Sequence, residues 1–429
     1  MGHAIVCEIK YKPRSGHVQL KDLTAIAAEV DRKVEEIYGA LKPVEHANHA
    51  KVLNAFVEAR VSTYHLKGST GYGYDDDGRE TLEEMFARIF GTEAALVRGQ
   101  IVSGTHAIAL CLYGVLKNGD TLLTVQGKPY DTLEQIIGAG ATIEGSLSSM
   151  GVRYRQLELL SDYGLDWSSI DQALRQPVKM VLLQRSCGYS TRPSLNMKQL
   201  DKLCRFIKDR QPDTIIFVDN CYGEFVEESE PTEHGADLIA GSLIKNPGGG
   251  LAPTGGYVAG KQSLVRLAAG RLTAPGIGSD VGPTLGWQRL LYQGLYMAPH
   301  AVMEALRGAI WGACFFQELG FEVFPTPEMS RTDIIQAVVL GSAERLQAFC
   351  RGVQGASPVD SHVAPVPAPM PGYAHSVIMA AGTFVQGASL EFTADAPVRE
   401  PYVAYFQGGL SLNYTKIGLI RAAAEVLRR

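Results

Sequence analysis

Little in this 429-residue chain is extreme, and each shortage removes a class of function. Neither sign of charge dominates: 40 Lys and Arg stand against 45 Asp and Glu, a net charge of -5. That leaves no electrostatic case for nucleic acid or an anionic membrane as partner. Long apolar runs are missing as well. The most apolar stretches, such as Ala107 to Val115, are far too short to span a bilayer. The N-terminus carries Glu8, Lys10, Lys12 and Arg14 without the apolar core of a signal peptide, so neither export nor insertion is expected. Seven cysteines, odd in number and without a CxxC pair, fit a reducing, cytoplasmic setting. His46 and His49 lie three apart in a helical run, but no third ligand accompanies them. They read as a solvated helix face, and no metal site is expected. There is no internal repeat.

What is present is enough apolar residue, 46%, for a sizeable core in a chain longer than one usual domain. Three parts are expected: an N-terminal arm and helices over 1–66, a large domain over 67–298, and a smaller α+β domain over 299–429. Residues 1 to about 20 lack periodicity and read as a loose arm. Leu23, Ile26, Ala27, Val30, Val34 and Ile37 then recur at helical spacing, until Pro43 ends or interrupts the helix. The glycine-rich stretch from Lys67 to Phe86 reads KGSTGYGYDDDGRETLEEMF. It predicts a loop whose three successive aspartates face solvent or ligand, leading into a helix near Glu80. Tyr72 and Tyr74 on that loop either cover a helix end or serve a site.

From Ala94 onward, short apolar strands alternate with helices, which argues for a mostly parallel sheet covered on both faces. Ligands of such sheets bind beyond the carboxyl ends of the strands. Ser103, Gln126, Arg185, Asp219 and Lys245 all fall at or just past such ends. Ser103-Gly104-Thr105 opens an apolar helix, an arrangement that offers free N–H groups and a positive dipole end to phosphate, or is simply an N-cap. DTIIFVDN, Asp213 to Asn220, is a buried strand ending in a carboxylate. GADLIAGSLIKNPGGGLAPTGG, Gly235 to Gly256, delivers Ser242 and then Lys245 onto a glycine-rich turn. A lysine, an aspartate and a phosphate-binding helix start are the three anchors that pyridoxal 5'-phosphate (PLP) needs. Pro358 to Pro371 reads as an extended connector.

The motifs GYGYDDDGRETLE, SGTHA, VDNCYGEF and GSLIKNPGGG together resemble the fold-type I PLP enzymes. Within them the chain is similar to the cystathionine/methionine lyase superfamily, and most to its methionine gamma-lyase-like, aluminium-resistance branch. The resemblance is good over about 68–260 and looser beyond. It implies a large PLP-binding α/β domain of the aspartate aminotransferase kind with a smaller C-terminal domain. It further implies that Lys245 forms the internal aldimine and Asp219 pairs with the pyridine nitrogen. Ser103, Gly104, Thr105 and Ser242 would hold the phosphate. The loop bearing Tyr72 and Tyr74 would reach the cofactor of a neighbouring subunit in a homodimer or homotetramer. Two family features have no direct match. Ile244 stands where a second phosphate hydroxyl is expected, and Gln126-Gly127 replaces the ring-stacking Tyr-Gly, which leaves Tyr130 for that role. Arg399 is the candidate for the substrate carboxylate. The expected activity is carbon–sulfur lysis by β- or γ-elimination on a sulfur-containing amino acid such as methionine, cystathionine or cysteine. The alternatives are another PLP reaction, transamination or γ-replacement, or non-catalytic binding of a phosphate ligand.

Overall fold

The computed structural model describes residues 20–140, 143–370, 373 and 375–429; the arm expected over the first residues lies outside them. Two helices, α1 (Leu20–Lys33) and α2 (Glu35–Glu58), precede α3 (Asp77–Ile89). The large domain then runs β1 (Ala94–Arg98), α4 (Gly104–Val115), β2 (Thr121–Thr124), α5 (Asp131–Ile137), β3 (Arg153–Gln156), α6 (Trp167–Ala173), β4 (Met180–Gln184), α7 (Met197–Arg210), β5 (Ile215–Asp219), β6 (Leu238–Ser242), β7 (Gly256–Gly260) and α8 (Gln262–Leu272). Its seven strands lie in the order β1-β7-β6-β5-β4-β2-β3. The pairs from β6 across to β3 are parallel, and β7 runs antiparallel to both of its neighbours.

The strands are apolar throughout because both faces are covered. Val181, Leu183, Ile216 and Val218 enter one core, while Met180, Leu182 and Phe217, alternating with them, enter the other. Helix α7 shows how the covering elements are specified. Leu200, Leu203, Cys204 and Ile207 form its buried stripe, and Asn196 with Gln199 closes a capping box at its start. The strand at Asp213–Asn220, the helix after Ser103, and the long helix after Trp287 all fall where the apolar pattern places them.

Helix α9 (Gln288–Glu318) connects to the second domain, which contains β8 (Glu322–Phe324), β9 (Ile335–Val339), α10 (Ala343–Gly355), β10 (Val377–Ala380), β11 (Thr393–Pro397), β12 (Val403–Gln407) and α11 (Leu412–Leu427). Its five strands form a sheet in the order β10-β11-β12-β9-β8, antiparallel at every pair. The division drawn at 298/299 falls inside α9. Leu291 to Leu306 of that helix belong to the large domain's core, and Ile310 to Phe316 belong to the small domain's.

Two local expectations fail for identifiable reasons. Pro43 does not end the helix, since α2 runs through it. The carbonyl it leaves unpaired is that of Gly39, which is exposed and can be hydrated instead; the actual break lies at Val34. The three aspartates do not all face outward. Asp76 is buried, accepts the N–H of Arg79 at 2.9 Å as N-cap of α3, and accepts the hydroxyl of Thr284 at 2.9 Å. Capping and the Thr284 bond turn it inward.

Phe316 is fully buried among Phe315, Phe321 and Phe349. Phe316→Ala should cost about 3–5 kcal/mol of unfolding free energy by denaturant titration. A loss below about 1 kcal/mol would contradict the packing described.

Candidate active site

The site forms at the carboxyl edge of the large sheet, where β5, β6 and the start of α4 meet. Asp219 is the last residue of β5, pairing with Gln184 on one side and Ala240 on the other. Its Oδ1 accepts the N–H of Cys221 at 3.1 Å. Burial raises its carboxyl above the usual range, and the charge of Lys245 pulls it back down. Lys245 follows β6 by three residues and leads into a tight 3-10 turn, Asn246–Gly248. Its ammonium lies 4.0 Å from the centre of the Tyr222 ring. Burial disfavours that charge, but Cys221, Tyr222, Asp219 and Glu224 around it more than offset the penalty and hold the amine above the ordinary lysine range.

Helix α4 brings its N-terminus to the same place. Ser103 is its N-cap, in extended conformation, and accepts the N–H of His106 at 3.1 Å. A Cβ on Gly104 would meet Cys221 Sγ at 2.9 Å and Ser242 Cβ at 3.4 Å, so only glycine lets the helix start come this close to β6. Thr105 Oγ1 is 3.4 Å from the hydroxyl of Thr132 in α5. His106 accepts the N–H of Val102, a structural role. Ser103, Gly104, Thr105 and Ser242 therefore surround one helix N-terminus, a place suited to a phosphate. Ile244 turns away, its Cδ1 against Gly387 of the small domain.

Gln126 and Arg185 are brought to the strand ends but spend their polar groups on the protein. The amide of Gln126 extends the sheet by pairing with both backbone groups of Gln184. Arg185, with no exposure, donates to Asn220 at 3.0 Å, Glu227 at 3.0 Å and Glu230 at 3.4 Å. Tyr130 sits one wall further out. Its ring packs edge-on to Tyr189 and Tyr373, its hydroxyl bonds that of Tyr373, and burial raises its phenol well above the usual value. Arg399 donates from Nη2 to the carbonyl of Tyr189 at 2.9 Å. It lines, with Tyr130, Cys187, Tyr189 and Arg192, a cavity of about 370 Å³ beside the sheet edge, to which neither Lys245 nor Asp219 contributes a wall. Tyr72 and Tyr74 are 72% and 62% exposed, their rings 5.5 Å apart. Their loop is tied to the large domain through the carbonyl of Tyr72, which accepts the N–H of Gly282 at 2.8 Å.

Several groups at this site are ones to which sequence reasoning gave no role. Tyr222 lies inside the motif VDNCYGEF, two residues past Asn220. Asp395, on β11, is buried, accepts from Gln407 at 3.2 Å, and feels the charge of Lys245. Only the pairing of β11 inside the second sheet brings it there. Tyr189 and Tyr373 come from loops.

A parallel α/β domain with a lysine just past one strand, a carboxylate ending the next and a helix start between them has the fold-type I architecture. The chain belongs to the methionine gamma-lyase family, whose profile matches residues 23–427. It is 47% identical to the uncharacterised protein YnbB of Bacillus subtilis over 96% of this chain and 98% of that one. A Listeria monocytogenes protein, named as a proposed cystathionine beta-lyase involved in aluminium resistance, superposes with a TM-score of 0.91 at 49% identity. The match covers 94% of this chain and all of that one. A carbon–sulfur lyase involved in aluminium resistance from Clostridium novyi gives 0.90 at 44% identity over 94% and 96% of the two chains.

Gly104→Ala should force the α4 start away from Ser242 and Cys221. Affinity for PLP, followed by absorbance titration, should fall at least about tenfold, while overpacking costs about 1–3 kcal/mol of stability. Unchanged PLP affinity would remove the phosphate from this helix.

Proposed function

We propose that this chain is a PLP-dependent carbon–sulfur lyase acting on a sulfur-containing amino acid. The observation that carries the proposal is the meeting of Lys245, Asp219 and the α4 start at one sheet edge, in a family whose relatives include a carbon–sulfur lyase. The residues fit the cofactor. The glycine cradle at Gly104 with Ser242 suits its phosphate, the carboxylate of Asp219 suits a ring nitrogen, and the amine of Lys245 suits its aldehyde. PLP, when bound, supplies an electron sink for negative charge at the substrate α-carbon.

The protein groups supply the rest. Ser103, Gly104, Thr105 and Ser242 bind the phosphate through N–H and hydroxyl donors at the positive end of α4. Asp219 holds a proton on the ring nitrogen, which its burial beside Lys245 makes a strong interaction. With PLP held in this way, the amine of Lys245 would remove the α-proton of the substrate. As the bond from sulfur to Cβ, or to Cγ after a second deprotonation at Cβ, breaks, its electron pair would leave with sulfur, a carbon–carbon double bond would form, and the sulfur would take up the proton held on Lys245 to leave as a thiol. Tyr222 and Tyr130 present phenols on the walls of this space. The guanidinium of Arg399, held by the Tyr189 carbonyl, offers its remaining donors to the α-carboxylate. The exposed Tyr72 and Tyr74 complete the site of a second subunit in a homo-oligomer.

Product analysis on cystathionine, methionine, cysteine and homocysteine should find a keto acid and ammonia, with a thiol or hydrogen sulfide, from at least one, and which keto acid forms identifies the bond cut. Lys245→Ala should lose turnover entirely; residual lyase activity would remove its role. Mixing a Tyr72→Ala/Tyr74→Ala protein with Lys245→Ala should restore part of the activity. No recovery in verified mixed oligomers would rule out the shared site.

A further inference from the structure

Behind the lysine turn lies a carboxyl group that this mechanism does not use. Glu224 has no exposed surface. Its Oε1 accepts the hydroxyl of Tyr257 at 2.8 Å, and its Oε2 has no hydrogen-bond partner. Its backbone carbonyl accepts Nδ2 of Asn246, the residue next to Lys245, at 2.9 Å. The side chain is wedged against Gly241 of β6, one residue before Ser242. Phe225, its neighbour in sequence, has left-handed backbone at φ 62°, fixed by the bond from its N–H to Glu230 Oε1 at 3.0 Å. Strain is thus spent on aiming this segment inward.

A fully enclosed carboxylate with one oxygen unpartnered is costly unless the group is neutral. The titratable groups acting on it are Tyr257 from β7, Glu230, Lys245 and the thiol of Cys221; Asn220, which donates to the Tyr257 hydroxyl, and Asn246 are uncharged. Burial raises its pKa most, to about 8, and the negative charge of Glu230 adds to the rise. The Tyr257 hydroxyl and the charge of Lys245 oppose it. The coupling is mutual, since ionised Glu224 favours the protonated amine of Lys245.

We propose that Glu224 is a positioning residue for Lys245, a carboxyl that rests uncharged behind the lysine turn and, on ionising, holds the proton on the lysine side of the site. This rests on the reading of Lys245 as the PLP lysine. The sign follows from the charges. Below about pH 8 Glu224 is neutral and exerts no pull; above it, its negative charge makes the lysine-side proton harder to remove. Removing the carboxyl should therefore make that proton leave at lower pH.

The test is a pH titration of the visible absorption of the PLP-loaded protein, as wild type, Glu224→Gln and Tyr257→Phe. Wild type should show a spectral step with a midpoint near pH 8. Glu224→Gln, which can still accept from Tyr257, should lose that step and release the lysine-side proton at least about half a pH unit lower, roughly threefold in proton affinity. Tyr257→Phe removes a donor that favours ionised Glu224, so the step should move to higher pH. A Glu224→Gln curve superimposed on wild type would overturn the proposal, as would a downward shift in Tyr257→Phe. Should Glu224→Gln fail to fold by circular dichroism, the direction in Tyr257→Phe decides alone. If wild type forms no visible band with PLP, the parent reading falls and this proposal with it. If the band forms but the Glu224→Gln curve is unchanged, only this proposal falls.

Discussion

The lysine turn rests directly on the backbone of a helix, and most of the site depends on that contact. Gly248 and Gly249, just past Lys245, lie against Gly294 of α9 with no side chain between them. Gly249 is also in the left-handed region, at φ 56°, so a side chain there would strain the turn as well as clash. With the turn packed directly on α9, the Lys245 amine sits 4.0 Å from the centre of the Tyr222 ring and Ser242 lies against the start of α4. The glycine-rich sequence after the lysine is thus a packing surface, where a freely flexible loop would have left the amine unplaced.

Opposite this contact, the segment after β5 is kept in a costly shape. Tyr222 and Phe225 both have left-handed backbone without being glycine, at about 1–3 kcal/mol each. What holds them is a buried polar network. Arg185, Asn220 and Glu230 bond one another, and Asn48 of α2 donates to the carbonyls of Phe225 and Glu227 at 2.9 and 3.1 Å. Taking these charges out of water is expensive. The return is geometric, since the Tyr222 ring is set under Lys245 and Glu224 is turned behind it. It also explains why a helix from the N-terminal region belongs to the large domain's architecture.

Much of this was legible in the sequence because the large domain announces itself through apolar strand runs. The fold class follows from MVLLQ and IIFVD alternating with helices, and the family from four motifs. The positions of Asp219 and Lys245 at strand ends follow from where those runs stop. Strand β3, with the sequence RYRQ, was not legible, because it is an edge strand with no apolar pattern to betray it. Asp395 was hidden for a different reason. It stands in TADAP, a strand with a weak β signature, and comes within the influence of the lysine's charge only through the pairing of β11 in a sheet from the far end of the chain. Tyr222 was in plain view inside a quoted motif; what the sequence could not convey was its left-handed backbone, which decides where its ring goes.

Helix α9 is a member of both cores, with Leu306 on one side and Ile310 on the other. Its one internal proline, Pro299, lies within the large-domain stretch, and between Leu306 and Ile310, where the two cores meet, the helix runs on without a break. The two lobes are therefore not modular. Their relative angle is part of the fold itself, and the sheet that carries Asp395, whose carboxyl feels the charge of Lys245, packs on the same helix that supports the lysine turn. A change in the far core, well away from any reacting atom, would be felt as a tilt of one wall of the cavity.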